Sequence, residues 1–73
     1  MSLPVNQIVK GGVYEGASGQ QRLVNWVGYR VIGYYVQYTV VKVGAPPENV
    51  PAVGTIVWKL RTLFASWAVR RVA

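Results

Sequence analysis

Apolar and polar residues follow a two-residue period along much of the chain, and this pattern predicts β-strands. Residues 13–16 form a short candidate strand after the glycine pair at 11–12, and residues 55–59 form another. Residues 21–27 and 30–43 are dense in valine, isoleucine, tyrosine and threonine, which favour strands. Gly28 and Tyr29 separate these two stretches, and a two-residue link that begins with glycine is typical of a type II′ hairpin turn. The sequence therefore predicts four strands with a hairpin that reverses at Gly28-Tyr29.

This reversal point predicts which side chains share a face of the hairpin. It pairs Val27 with Arg30 and Arg22 with Tyr35, so one face carries apolar residues suited to a core, namely Leu23, Val27, Ile32, Tyr34, Val36, Tyr38 and Val40. The opposite face carries Arg22, Val24, Trp26, Val31, Tyr35, Gln37 and Thr39. We expect Arg22, Trp26 and Tyr35 to form an exposed shelf, with Arg22 in cation–π contact with Tyr35. The alternative is that Gly33 marks a bulge and Trp26 packs under the C-terminal segment.

The last third of the chain changes period. Residues 44–51 contain three prolines and predict a loop. Apolar residues then recur at helical spacing, at Leu60, Leu63, Phe64, Trp67 and Ala68. Two interpretations remain open: a helix through residue 71, or a short helix that ends near residue 67 and is followed by a fifth strand over 68–72. In either case we expect Trp58, Phe64 and Trp67 to lie in the core under this tail.

Composition bears on assembly. The chain has 73 residues, of which 52% are apolar and only 14% are charged. A small soluble monomer usually has about 25–35% charged residues on its surface. The sequence therefore predicts an apolar surface patch that is covered by a second subunit of a homo-oligomer or by a partner. The alternative is a core that is unusually rich in valine and tyrosine. We expect a flexible lead-in over residues 1–7 and one domain over 8–73.

The residue inventory excludes most catalysis. The chain has no His, Cys or Asp, and its only carboxylate side chains are Glu15 and Glu48. Catalytic triads, cysteine nucleophiles and tight transition-metal sites need those residue types, so we expect neither an enzyme nor a cofactor. No apolar run reaches the roughly 18 residues of a membrane span. Residues 1–10 also lack the pattern of a signal peptide, and we expect a cytoplasmic location.

The order of the predicted elements resembles a known architecture. Residues 9–14 (VKGGVY), Gly19 and the alternating residues 22–27 (RLVNWV) are similar to the opening of KOW- and Tudor-type SH3-like barrels. Residues 63–68 (LFASWA) resemble a segment of small SH3-like proteins of bacteriophages and prophages. The resemblance implies a mainly β fold, a small SH3-like barrel of four to five antiparallel strands with one short C-terminal helical segment. KOW domains bind RNA or protein, and the complete aromatic cage of Tudor domains does not align with this chain.

Charge indicates the class of partner. The formal net charge is +6, which favours RNA, single-stranded DNA or an acidic protein. Basic residues interleaved with aromatic ones are typical of single-stranded nucleic-acid surfaces. The candidate binding residues are Arg22, Trp26, Arg30, Tyr35, Lys42, Lys59, Arg61, Arg70 and Arg71. The first hypothesis is a self-associating module that binds nucleic acid through this basic aromatic face. The alternative is a protein-interaction or inhibitor module, of phage origin, that docks on a host protein.

Overall fold

The computed structural model of the protein describes residues 2–73 and contains a single five-stranded antiparallel sheet. Its elements are a 3-10 helix (Val5–Gln7), β1 (Val13–Gly16), β2 (Gln21–Arg30), β3 (Gly33–Lys42), β4 (Ile56–Leu60), α1 (Arg61–Trp67) and β5 (Ala68–Arg71). The strands are ordered β4-β3-β2-β1-β5 across the sheet. The prediction of a mainly β fold with one short C-terminal helix is therefore confirmed. None of the helices in residues 2–73 has the length and apolar character needed to cross a bilayer.

The C-terminal tail follows the second of the two interpretations. α1 ends at Trp67, and Ala68 takes extended backbone angles that start β5. β5 then pairs with β1, and the Leu3 amide donates a hydrogen bond of 2.9 Å to the Ala68 carbonyl. The predicted loop over 44–51 lies between β3 and β4 and contains neither helix nor strand.

The predicted reversal at Gly28-Tyr29 is wrong. β2 continues through Arg30, the chain reverses at Val31-Ile32, and Arg30 pairs with Gly33. Gly28 does not have the positive φ that a type II′ turn requires. A Cβ atom at Gly28 would lie 2.6 Å from the Trp26 ring, so glycine is needed there because that ring lies across the strand. The absence of a side chain at Gly28 thus lets the Trp26 ring pack against the backbone of β2.

A β-bulge changes the predicted faces of the hairpin. The register between β2 and β3 shifts between Val24 and Trp26. Val24 and Val27 therefore lie on the same face, where they pair with Tyr38 and Val36, respectively. Val24 is buried, although strict alternation placed it outside. Ile32, predicted to be in the core, is 83% exposed because it lies in the turn.

The core lies on one side of the sheet, under α1. Its buried residues are Ile8, Tyr14, Val24, Val36, Tyr38, Val40, Phe64, Ala65 and Ala68. Phe64 is central, since its ring meets Tyr14 edge-on at 5.7 Å and lies 5.3 Å from the Tyr38 ring. Full burial of a side chain of this size stabilises the fold by about 1.5–3 kcal/mol. The opposite side of β2, β3 and β4 is left without a covering layer from residues 2–73.

Candidate binding surface

The side of β2, β3 and β4 that faces away from the core carries a group of aromatic side chains, and we call it the outer face. Trp26 on β2, Gln37 on β3 and Trp58 on β4 form one row across it. Gly28 and Tyr35 belong to the next row. The Trp26 and Trp58 rings meet edge to face with centroids 5.5 Å apart. Trp26 is 36% and Trp58 43% exposed, so both indoles contact solvent.

The outer face continues into a cleft at the β2–β3 turn. The cleft has a volume of about 260 Å³ and is lined by Arg30, Val31, Ile32, Tyr35 and Trp58. The guanidinium carbon of Arg30 lies 4.2 Å from the centroid of the Trp58 ring, a cation–π contact that orients the charge beside the cleft. Val31 is 100% and Ile32 83% exposed. An apolar tip next to an aromatic cleft with one cation is a surface suited to binding.

The opposite side of the same hairpin carries a second aromatic pair. The Tyr29 and Tyr34 rings stack with centroids 4.5 Å apart and an angle of 12° between their planes. The Arg61 guanidinium lies 4.7 Å from the Tyr34 centroid, and Arg61 Nη2 donates a hydrogen bond of 2.8 Å to the Ile8 carbonyl. Arg61 is therefore held by the protein itself, and its role here is partly structural.

Arg22 lies inside the protein, so its predicted place on an exposed shelf is wrong. It is 6% exposed and pairs with Val40, not with Tyr35, because the reversal occurs three residues later than predicted and the bulge between Val24 and Trp26 shifts the register by one residue. Its guanidinium stacks 3.7 Å from the centroid of the Trp67 ring, and its Nε donates a 2.6 Å hydrogen bond to Gln20 Oε1. The predicted cation–π contact between Arg22 and Tyr35 is accordingly absent.

Glu48 compensates the buried charge of Arg22. The Arg22 Nη2 to Glu48 Oε2 distance is 3.7 Å, and the Glu48 carboxylate also accepts hydrogen bonds from the Ser18 hydroxyl and from Trp67 Nε1, the latter at 3.1 Å. Burial opposes the ionisation of Glu48, but these hydrogen bonds and the charge of Arg22 outweigh it, so the pKa of Glu48 lies below its ordinary value. This cluster ties the loop between β3 and β4 to α1 and β2.

Lys59 lies on the core side of the edge strand β4, partly buried and paired with Val36. Burial lowers the pKa of Lys59, and the positive charge of Arg22 lowers it further, against the smaller opposing effect of Glu48. Lys59 is thus a cation in a net positive environment.

The remaining predicted site residues lie elsewhere. Arg70 forms a salt bridge with Glu15, and Arg71 donates a hydrogen bond of 2.8 Å to the Ala73 carbonyl. Lys42 ends β3 opposite Gln21, at the far end from the turn. Of the nine candidates, the structure brings Trp26, Arg30 and Tyr35 together on the outer face. Lys59 is on the neighbouring strand but points to the other side.

Sequence reasoning missed three members of the surface. Trp58 was expected in the core, but it shares the outer face with Ile56, and Val31 and Ile32 form the turn. The two-residue period of a strand places Ile56 and Trp58 on the same face of residues 55–59. It does not indicate whether that face packs on the core or is exposed to solvent. The expectation that Phe64 and Trp67 pack under the tail is confirmed: Phe64 is fully buried, and Trp67 packs against the core cluster.

The cleft and its surroundings combine indole and phenol rings, aliphatic side chains and one guanidinium. The chain matches no protein-family profile, no curated protein and no solved structure.

Proposed function

We propose that the protein is a non-enzymatic protein-interaction module with an SH3-like arrangement, which binds a partner protein through its outer face and the β2–β3 turn. The short helix between β4 and β5 agrees with the element order of SH3-like barrels. The residue types of the cleft support interaction with a protein, since tryptophan, tyrosine and arginine are enriched among interface residues that contribute most to binding energy. Arg30, Tyr35 and Trp58 supply all three types.

The observation that carries the proposal is the exposure of the turn. Val31 and Ile32 are 100% and 83% exposed, and Tyr29 beside them is 80% exposed. These side chains contribute little to the core, so folding alone gives no reason for apolar residues at this tip. Burying them against a partner would gain about 25 cal/mol for each Å² of apolar surface removed from water. Apolar side chains clustered at a protruding turn are typical of a contact surface.

The test compares two matched valine variants in a capture experiment. Val31→Ser changes the tip, and Val53→Ser makes the same change at a residue that is 61% exposed. Val53 is far from the β2–β3 turn. The amide of the next residue, Gly54, donates a hydrogen bond to the carbonyl of Val40, near the end of β3 that lies away from this turn. We expect nuclease-treated lysate to yield proteins that bind the wild type and the Val53 variant but not the Val31 variant. Equal capture by all three chains would contradict the proposal.

A second candidate, single-stranded nucleic acid binding, is favoured by one observation. In residues 2–73, salt bridges join Arg22 to Glu48 and Arg70 to Glu15, and the other six basic residues take part in no salt bridge. Phosphates attract such cations, and exposed indoles offer stacking surfaces for bases. Tryptophan fluorescence titrated with short RNA and DNA oligonucleotides tests it. No change in emission at about 50 mM salt, where electrostatic binding is strong, would remove this candidate.

A further inference from the structure

The two edges of the sheet differ in how far they are protected against pairing with another strand. β5 is one edge, where Arg70 and Arg71 are exposed and Leu3 already bonds to Ala68. Charged side chains and covering segments are the usual means of blocking an edge. β4 is the other edge and carries a single charged residue, Lys59. β4 is therefore the edge that is open to an added strand.

The two sides of β4 differ in chemistry. Ile56 and Trp58, which are 58% and 43% exposed, lie on the outer face and lead to the cleft. Val57 and Lys59 lie on the side of the core, paired with Tyr38 and Val36. A strand added at this edge would place successive side chains alternately on these two sides. Its residues on the outer face would meet apolar groups, and those on the other side would meet the Lys59 ammonium.

Charge decides between a second copy and a different protein as the occupant. Both carboxylate side chains of the chain are already engaged, Glu15 by Arg70 and Glu48 by Ser18, Trp67 and Arg22. A second copy pairing through its own β4 would bring another Lys59 to the same side and no carboxylate to offset it. Arg30 adds a further positive charge beside the cleft. Electrostatic complementarity therefore requires acidic residues in the partner.

Resting on the proposed function, we infer that the free edge of β4 binds an extended segment of an acidic partner protein in which apolar side chains alternate with carboxylates. The apolar side chains pack against Ile56 and Trp58 and enter the cleft. The carboxylates on the other side pair with Lys59. Backbone hydrogen bonds to β4 supply affinity, and the alternation supplies specificity, as in other complexes formed by strand addition.

Fluorescence anisotropy with labelled synthetic peptides tests this inference. The probe is a peptide of about seven residues that alternates glutamate with leucine, a length typical of a strand. One control replaces every glutamate with glutamine, and another keeps the composition but groups the leucines and the glutamates in two blocks. We expect the alternating peptide to bind the full chain and both controls to bind at least about fivefold more weakly, which corresponds to about 1 kcal/mol.

Protein variants test the role of Lys59. Lys59→Gln removes the charge at β4, and Lys10→Gln removes one charge from an exposed residue that precedes β1. We expect the first variant to lose about fivefold in affinity for the alternating peptide and the second to lose much less. Equal losses would mean that only the net charge matters and would overturn the pairing with Lys59.

N-methylated peptides test strand addition itself, without any change to the protein. Alternate amides of an added strand point toward β4, so N-methylation of one alternate set should abolish binding and N-methylation of the other set should preserve it. Equal effects of the two sets, or no binding of the alternating peptide, would overturn the inference.

Two outcomes separate this inference from the proposed function. If the glutamine peptide binds as well as the glutamate peptide and Val31→Ser weakens both, the proposed interaction surface is supported, but the inference that the partner is acidic is wrong. If the protein self-associates and Ile56→Lys makes it monomeric in light scattering, the occupant of β4 is a second copy and the inference fails.

Discussion

Replacing Glu48 with glutamine tests how the fold accommodates the buried Arg22. The substitution keeps the shape of the side chain but removes the negative charge that lies 3.7 Å from Arg22 Nη2. Arg22 is 6% exposed, and its Nη1 atom is buried without a hydrogen-bond acceptor in residues 2–73. Glu48→Gln therefore leaves a buried guanidinium without a counter-charge, in contact with the Trp67 and Tyr38 rings and hydrogen-bonded to Gln20.

The loss of stability depends on how far the ion pair is buried. Removing one partner of a fully buried ion pair costs about 3–5 kcal/mol, but the Glu48 side chain is 29% exposed and glutamine still accepts one hydrogen bond. We therefore expect a loss of about 2–3 kcal/mol. A chain of 73 residues has a total stability of about 4–11 kcal/mol, so the loss is a large part of it. The melting temperature should fall by about 10–20 °C.

Urea denaturation followed by circular dichroism at neutral pH measures this loss, with Glu15→Gln as the matched control. Glu15 pairs with Arg70, whose side chain is 66% exposed and stays hydrated when the partner is removed. The control should therefore lose less stability than Glu48→Gln. Equal losses for the two variants would refute the view that Glu48 compensates a buried charge.

The pH dependence supplies an independent check of the same pair. The pKa of Glu48 is lowered in the folded protein, so its ionised form stabilises the fold. This contribution to the free energy of unfolding is fully present above the pKa of the unfolded chain, about 4.3. That contribution is lost as the pH falls through the lower pKa of the folded state. Wild-type stability should therefore decline in this acidic range, and the decline should be shallower for Glu48→Gln. An unchanged slope would contradict the assigned cause of the shift.

Further predictions concern the packing of the two sides of the sheet. Gly28→Ala places a Cβ 2.6 Å from the unmodified position of the Trp26 ring, so we expect a loss of about 1–3 kcal/mol and altered indole emission, whereas a wild-type spectrum would contradict this packing. Phe64→Ala removes the centre of the core and should cost about 3–5 kcal/mol in urea denaturation. Leu63→Ala, at a residue that is 54% exposed in the same helix, should cost far less, and similar losses would show that Phe64 is not central.

The elements could be predicted from the sequence more reliably than their faces. The strands over 13–16 and 55–59 and the proline-rich loop are local features, since β-branched density and proline act through nearby backbone. The predicted reversal point of the hairpin was wrong because Gly28 gives a strong local turn signal. In the folded hairpin this glycine instead leaves room for the Trp26 ring. The bulge between Val24 and Trp26 then moved Val24 into the core, and strict alternation contains no signal for it.

The candidate site shows the same limit. Trp26 and Tyr35 were predicted on one face of the hairpin and do share the outer face. Arg30 was predicted opposite Val27, but the later reversal places it on the outer face beside Gly33. Arg22 was misplaced because the same bulge moves it to the core side together with Val24, and the carboxylate that compensates it there, Glu48, comes from a loop 26 residues further along the chain. A pairing of this kind depends on tertiary structure, and no period in the sequence encodes it.

Backbone amide chemical shifts of the isotope-labelled protein, followed during titration with the alternating glutamate–leucine peptide, show whether the outer face and the β4 edge form the binding surface. The largest shifts should fall in residues 56–60 and 30–35, with little change in β1 and β5. Shifts centred on β5 or on the 3-10 helix, or no shifts at all, would contradict binding at this surface.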